Sequence, residues 1–230
     1  MDHLKGILVP VHREGYPFIL IAAVTTVLLW ALSGSLGMLG AILTAWCVYF
    51  FRDPERIVPD TAGVLVSPAD GVLLPIVEAV PPSELGFSDE PRTRLSIFMN
   101  VFDVHVNRAP IDGTVTAMHY TPGAFFNASL DKASEDNERQ AYKLVTEDAV
   151  EIGMVQIAGL VARRIVPFVK EGDDVQTGQR IGMIRFGSRV DLYLPRDIQP
   201  QVIAGQKMVA GETILAKLSG EQEPRTGTKI

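Results

Sequence analysis

The sequence predicts a mainly β protein, with a β-sandwich or barrel-sandwich-hybrid-like domain behind an N-terminal α-helical membrane hairpin. Three observations predict it. No charged residue occurs from Tyr16 to Phe51. Beyond Phe51, short segments rich in Val, Ile and Leu alternate with Gly, Pro and Asp, the pattern of many short strands. Outside the apolar segment no long stretch has the 3.6-residue period of an amphipathic helix.

The apolar segment comes first. Pro17–Leu32 and Leu36–Phe51 flank Ser33-Gly34-Ser35. Each stretch falls short of the roughly 20 residues that cross about 30 Å of hydrocarbon upright. The Ser-Gly-Ser break favours a tight hairpin over one long tilted span. Lys5 and Arg13 precede the segment, and Arg52 and Arg56 follow it. By the positive-inside rule both ends face the cytoplasm. Trp30, Trp46 and Tyr49 are candidate interface anchors. A cleaved signal peptide fits poorly, because the apolar run is too long and no small-residue cleavage site follows.

Arg52-Asp53-Pro54-Glu55-Arg56 closes the run, and Pro54 stops a helix there. Ten strands are then expected: Gly63–Val66, Val72–Val80, Thr93–Met99, Gly113–Tyr120, Ala141–Thr146, Val150–Ile157, Arg163–Phe168, Arg180–Arg185, Val190–Leu194 and Thr213–Lys217. The polar stretch Asn127–Gln140 is long for a loop, and loops of that length are usually functional or disordered. Ser219–Ile230 reads as a disordered tail. The expected organisation is therefore a membrane-associated segment over residues 1–52, a β-rich domain over 53–218 and a tail over 219–230.

Composition narrows the function. The chain has 230 residues, a net charge of -6 and a mean hydropathy of +0.19. The acidic balance argues against a nucleic-acid partner. Cys47 is the only cysteine, so neither an intrachain disulfide nor a Cys-based metal site is available. The histidines, His3, His12, His105 and His119, are scattered without metal-ligand spacing.

Val169–Ile184 contains a GDxVxxGxxIG pattern in which Gly172 and Gly178 make turns and Val175 and Ile181 point inward. It resembles biotinyl and lipoyl carrier domains. The place of their modified lysine holds Phe186-Gly187-Ser188-Arg189 instead, and the superficial match Asp131-Lys132-Ala133 precedes the pattern. The carrier reading loses its reactive group.

Four short runs carry candidate chemistry: Ser67-Pro68-Ala69-Asp70-Gly71, Phe102-Asp103-Val104-His105-Val106-Asn107-Arg108-Ala109-Pro110, Asn137-Glu138-Arg139, and the Gly187-Ser188 pair. Each alone reads as a turn, a core histidine, a polar loop or a chance dipeptide. In the second run, Asp103, His105, Asn107 and Arg108 set four polar groups beside a strongly apolar strand. Taken in order behind FFRDPER, the set SPADG, FDVHVNRAP, NER and RFGSRVD resembles the phosphatidylserine decarboxylase proenzyme family, in its short bacterial and archaeal form. The resemblance runs from about Val9 to Leu218.

The resemblance implies a self-processing enzyme that breaks its own chain between Gly187 and Ser188. Met1–Gly187 becomes the β chain and Ser188–Ile230 the α chain. Ser188 becomes a covalent pyruvoyl group, so the implied cofactor is pyruvate, with no metal and no pyridoxal phosphate. The Ser188 hydroxyl needs a base. His105 is the candidate, because imidazole titrates near neutrality. Asp70 is expected to hold its productive tautomer. Attack on the Gly187 carbonyl turns the amide into an ester. Loss of the Ser188 α-proton then leaves dehydroalanine, which hydrolyses to pyruvoyl and ammonia. Gly187 suits close approach and unusual backbone angles.

Decarboxylation of phosphatidylserine to phosphatidylethanolamine and carbon dioxide is implied to run through a Schiff base with the pyruvoyl carbonyl. His105 reprotonates the α-carbon. Arg108, Arg139 and Arg189 are candidate contacts for the substrate phosphate and carboxylate. Larger bacterial members carry two histidines three residues apart, and Arg108 occupies the second place here. His105 alone then serves both stages, or processing uses another base; His119 reads as structural. The implied partners are the membrane, the phospholipid, and the β and α chains as a heterodimer, with further homo-oligomerisation left open; no nucleic acid is implied. The implied location is the cell membrane, with the catalytic domain on the cytoplasmic side. Two alternatives stand beside this reading: a membrane-anchored lipoyl-like β-sandwich adaptor without catalysis, and the same chemistry on archaetidylserine.

Overall fold

The computed structural model describes residues 9–126, 128, 136–159, 164–185 and 187–218. The Asp131-Lys132-Ala133 string, most of the Asn127–Gln140 stretch, the start of the expected Arg163 strand and the 219–230 tail lie outside them. The protein is mainly β, 37% strand and 21% helix, with an N-terminal hairpin of apolar helices. It divides into two units, Met1–Glu55 and Arg56–Ile230.

In the first unit, helix α1 spans Tyr16–Leu32 and α2 spans Gly34–Phe50. A 3-10 turn at Arg13–Gly15 leads into α1, capped by His12 Nδ1, which accepts the Glu14 N–H at 3.3 Å. Pro17 sits in the first turn of α1, where its missing N–H costs nothing. One extended residue, Ser33, breaks the helices apart, so the two-helix expectation holds. Small residues bring them close. A Cβ on Gly37 would meet the Trp30 ring, and one on Gly40 would meet Thr26. Thr26 and Thr44 hydroxyls bond across at 2.9 Å. The run Arg13–Leu32 is long and apolar enough to cross a membrane, whereas Gly34–Phe50 is shorter. Leu20, Ile21, Val27, Leu28 and Ile42 remain exposed, which points to a membrane environment.

Among its described residues the second unit carries fourteen strands: β1 Val64–Val66, β2 Gly71–Leu73, β3 Val77–Ala79, β4 Arg92–Met99, β5 Val106–Arg108, β6 Gly113–Thr121, β7 Arg139–Val145, β8 Glu151–Ala158, β9 Arg164–Pro167, β10 Asp174–Val175, β11 Arg180–Arg185, β12 Ser188–Tyr193, β13 Lys207–Met208 and β14 Ile214–Lys217. A large antiparallel sheet runs β10-β6-β7-β8-β12-β4-β2-β13, with β3 also on β4, and curls into a half-barrel. Small sheets β5-β11-β9 and β1-β14 complete the unit. The expected Val72–Val80 strand splits in two around Pro75, which has no N–H to give a ladder. Strands β5, β10 and β13 are too short to carry a periodic signal.

Both faces of the central strands are buried. Leu95, Ile97, Met99, Met154, Val190 and Leu192 form the main core. On the other face Val155, Ile157 and Tyr193 pack with Leu85 and Phe87. Val175 and Ile181 of the GDxVxxGxxIG pattern are buried, as expected. Leu192 pairs with Leu95 and Met154 at the middle of the sheet. Leu192→Ala is expected to cost about 2–5 kcal/mol of unfolding free energy by urea titration.

Candidate functional site

The Gly187-Ser188 bond lies where the chain leaves one sheet for another. Strand β11 belongs to the small β5-β11-β9 sheet, and β12 to the large one. Gly187 makes the change with φ +64, a left-handed conformation that disfavours other residues. Among the described residues nothing lies within 4 Å of a Cβ built on it. The backbone angle therefore favours glycine here. Ser188 is not at a loop tip. It is the first residue of β12, paired with Met99 of β4 and Ala158 of β8. It is 0% exposed, and its hydroxyl has no hydrogen-bond partner among the described residues.

His105 is also fully buried, just ahead of β5. Its Nδ1 is 3.0 Å from the Asp103 carbonyl oxygen, and its Nε2 accepts the Gly187 N–H at 3.2 Å. A carbonyl only accepts and an N–H only donates. The ring is thus neutral, with its proton on Nδ1 and the Nε2 lone pair directed at the Gly187 N–H, one peptide unit before the Gly187-Ser188 bond. The Asp103 carboxylate tightens the turn that carries the histidine, taking the Asn100 N–H at 2.9 Å and its side-chain amide at 2.6 Å.

Asp70, expected to orient the imidazole, binds elsewhere. Arg56 Nη2 donates to both of its oxygens, at 2.9 and 2.7 Å, and the Ala210 N–H donates to Oδ1 at 2.8 Å. The Asp103 carbonyl, two residues from the ring, meets Nδ1 instead. FFRDPER and SPADG thus meet through Arg56 and Asp70. Gly71 follows at φ +151, where a Cβ would run into the Phe98 carbonyl.

The three candidate arginines bind protein groups. Arg108 Nη1 donates to Gly178 O at 2.7 Å, and its N–H to Pro68 O at 2.9 Å, tying the histidine segment to SPADG. Arg139 donates to Glu84 at 2.9 Å. The Glu84 carboxyl lies below its usual range, held first by a hydrogen bond to its own backbone and then by Arg139 against the opposing effect of burial. Arg189 points to the opposite face of β12 from Ser188, since strand side chains alternate. There it pairs with Asp191 at 2.8 Å and donates to Ala128 O at 3.2 Å.

Several residues that sequence reading did not single out complete the site. Gly159 donates its N–H to Gly187 O at 3.0 Å. Under the site, Tyr142 donates to Gln156 Oε1 at 2.6 Å, and Gln156 Nε2 donates to Asn107 Oδ1 at 2.7 Å. Burial pushes the Tyr142 phenol up. A lone glutamine inside the apolar EIGMVQIAG run was the available signal for this chain. Among the described residues no group of three or more His, Cys, Asp or Glu could hold a metal ion.

A buried serine thus follows directly on a glycine whose N–H meets a neutral imidazole, on a mainly β domain. The comparisons with known proteins give the family. Residues 43–216 match the family described as phosphatidylserine decarboxylase. A phosphatidylserine decarboxylase proenzyme of Cereibacter sphaeroides is 57% identical over 227 residues, covering 99% of this chain and 98% of the relative. Proenzymes of the same name from Ruegeria pomeroyi (56%, covering 91% and 95%) and Paramagnetospirillum magneticum (52%, covering 95% and 91%) are also similar. The chain belongs to the phosphatidylserine decarboxylase family, a family of enzymes, and the non-catalytic adaptor reading is set aside.

Two predictions follow from these contacts. Asp70→Ala strips a largely buried arginine and a backbone N–H of their acceptor, and should lower unfolding free energy on the order of 3 kcal/mol in a denaturant titration. Burial, then Asp191, pushes the Tyr193 phenol from 10.0 up to about 12. The folded state keeps that proton after the unfolded chain has lost it, so stability should fall as pH rises from 10 to 12. Tyr193→Phe should shallow that alkaline loss in melting curves.

Proposed function

We propose that the protein decarboxylates phosphatidylserine to phosphatidylethanolamine and carbon dioxide, after cutting its own chain between Gly187 and Ser188. Family membership supports the reaction. The observation that carries the self-cleavage is the buried Ser188 hydroxyl, without a partner among the described residues, directly after Gly187, whose own N–H donates to His105 Nε2 at 3.2 Å.

Each residue has a task. His105 Nε2 takes the Ser188 hydroxyl proton, in the tautomer that the Asp103 carbonyl holds. The serine oxygen attacks the Gly187 carbonyl carbon, and the amide becomes an ester. Burial excludes bulk water until the Ser188 α-proton is lost and Gly187 departs as a carboxylate. The residues present fit the pyruvoyl group that this sequence of events leaves at position 188. Ser188 is its source, and the apolar neighbours Val190 and Leu192 are fully buried on the same face. The pyruvoyl carbonyl supplies an electrophile for the substrate amine and a sink for the electron pair of the breaking bond. His105 is the residue placed to return a proton to the substrate α-carbon.

Cleavage would not release the smaller piece. Strand β12 bonds to β8 and β4 on either side, and β13 and β14 bond to β2 and β1. These ladders support a heterodimer of β and α chains. The apolar N-terminal helices suit a substrate that stays in the bilayer. Basic residues on both flanks, Lys5 and Arg13 before and Arg52 and Arg56 after, support a cytoplasmic catalytic domain.

Intact mass and denaturing electrophoresis test the reading. The wild type should yield two pieces, Met1–Gly187 and Ser188–Ile230, the second with a terminal keto group. Ser188→Ala should remain one chain of about 25.1 kDa without decarboxylase activity. His105→Ala should slow cleavage about 100-fold or more, the lower range for loss of a general base. Cleavage at the wild-type rate in His105→Ala would remove His105 from the role.

A further inference from the structure

We propose that the backbone N–H of Gly159 is the oxyanion donor for self-cleavage, and that Asn137 is the residue that positions it. The inference rests on the self-cleavage reading above. Gly159 donates to the Gly187 oxygen at 3.0 Å, and that carbonyl is the one under attack. When Ser188 Oγ bonds to the Gly187 carbon, the carbonyl π pair moves onto the oxygen and the hydroxyl proton passes to His105 Nε2. Collapse returns the pair and breaks the Gly187 C–Ser188 N bond, and the nitrogen takes the proton back from the imidazolium. The product is the ester, with no atom gained or lost. Negative charge sits on the oxygen only in transit. A donor already aimed at it in a buried site therefore favours the transition state over the ground state.

The support for this N–H comes from the Asn-Glu-Arg run, which the reaction had otherwise left without a task. Asn137 is fully buried. Its amide nitrogen donates to Ala158 O at 2.7 Å and to Phe126 O at 2.8 Å, and its Oδ1 accepts the Phe126 N–H at 2.9 Å. Ala158 O and the Gly159 N–H belong to one peptide unit. Asn137 thus holds that unit by its oxygen while its N–H points at the scissile carbonyl, and the two bonds polarise each other. The Glu138 carbonyl accepts the Ala158 N–H at 2.9 Å and fixes the preceding unit. Position 159 must also be glycine, because a Cβ there would run into the Gly187 oxygen.

The test is a time course of cleavage during cell-free synthesis of the full chain into detergent. Wild type, Gly159→Ala, Asn137→Ala and Ser188→Ala are compared by denaturing gel, and folding is checked by melting temperature. Gly159→Ala should slow cleavage by about 100-fold, the lower range for loss of one oxyanion donor. Asn137→Ala should slow it roughly 10-fold, since the donor remains but loses its support. The pH midpoint of the cleavage rate should stay at the wild-type value in both, because the base is unchanged. Added hydroxylamine, which cuts an ester directly, should not restore the rate, because the defect precedes the ester. Wild-type rates in both folded variants, or full restoration by hydroxylamine, overturn the proposal. Where Gly159→Ala fails to fold, Asn137→Ala decides alone. A wild type that never cleaves overturns the self-cleavage reading itself, which separates the two failures.

Discussion

A hydroxyl group held inside a sheet is the constraint on which the rest of this structure depends. Ser188 opens the central strand of the large sheet, with ladder partners on both sides and the main core against its face. A buried hydroxyl without a partner among the described residues is costly. A structure that keeps one has arranged its surroundings to do so. The change of sheet at Gly187 brings its carbonyl, the His105 imidazole and the Gly159 N–H to the start of one strand. The same burial that makes the hydroxyl expensive also keeps water from the bond beside it.

Polar groups lie on both faces of the strand that carries it. On the face of Ser188, the chain Tyr142–Gln156–Asn107 is buried and hydrogen-bonded. On the other face, Arg189 and Asp191 form a buried ion pair, with Arg94 3.9 Å from Asp191. A one-residue slip of β12 would exchange these faces and strand charges in the main core. The register that places Ser188 opposite Met99 and Ala158 is therefore held by electrostatics as well as by apolar packing.

The short motifs are joints between segments as much as chemistry. Arg56 of FFRDPER clasps Asp70 of SPADG, the Arg108 N–H reaches Pro68, and the Arg108 side chain reaches Gly178 in the GDxVxxGxxIG stretch. Asn137 of the NER run braces the end of β8. A charged residue in such a motif invites a reading as a substrate contact. Here the nearest opposite charge or backbone carbonyl came from the protein, and for Asp70 and Arg189 that partner lies away from the imidazole and the serine.

The sequence by itself determined the architecture and the family. Uncharged apolar runs can only be helices that shelter from water, so the hairpin was legible, as were most strands of more than three residues. Motif order carried the family, and from it came the expectation of a site at Gly187, Ser188 and His105. What only the tertiary structure decided were the partners. Asp103 in place of Asp70 beside the imidazole, Arg189 on the far face, and Gly159 against the Gly187 carbonyl all depend on contacts between residues distant in the chain or on backbone atoms. Every residue carries the same N–H and C=O, so no residue name announces which of them will meet a reacting bond. Strand register and the crossing between sheets settle that, and both are set by the packing of the whole domain.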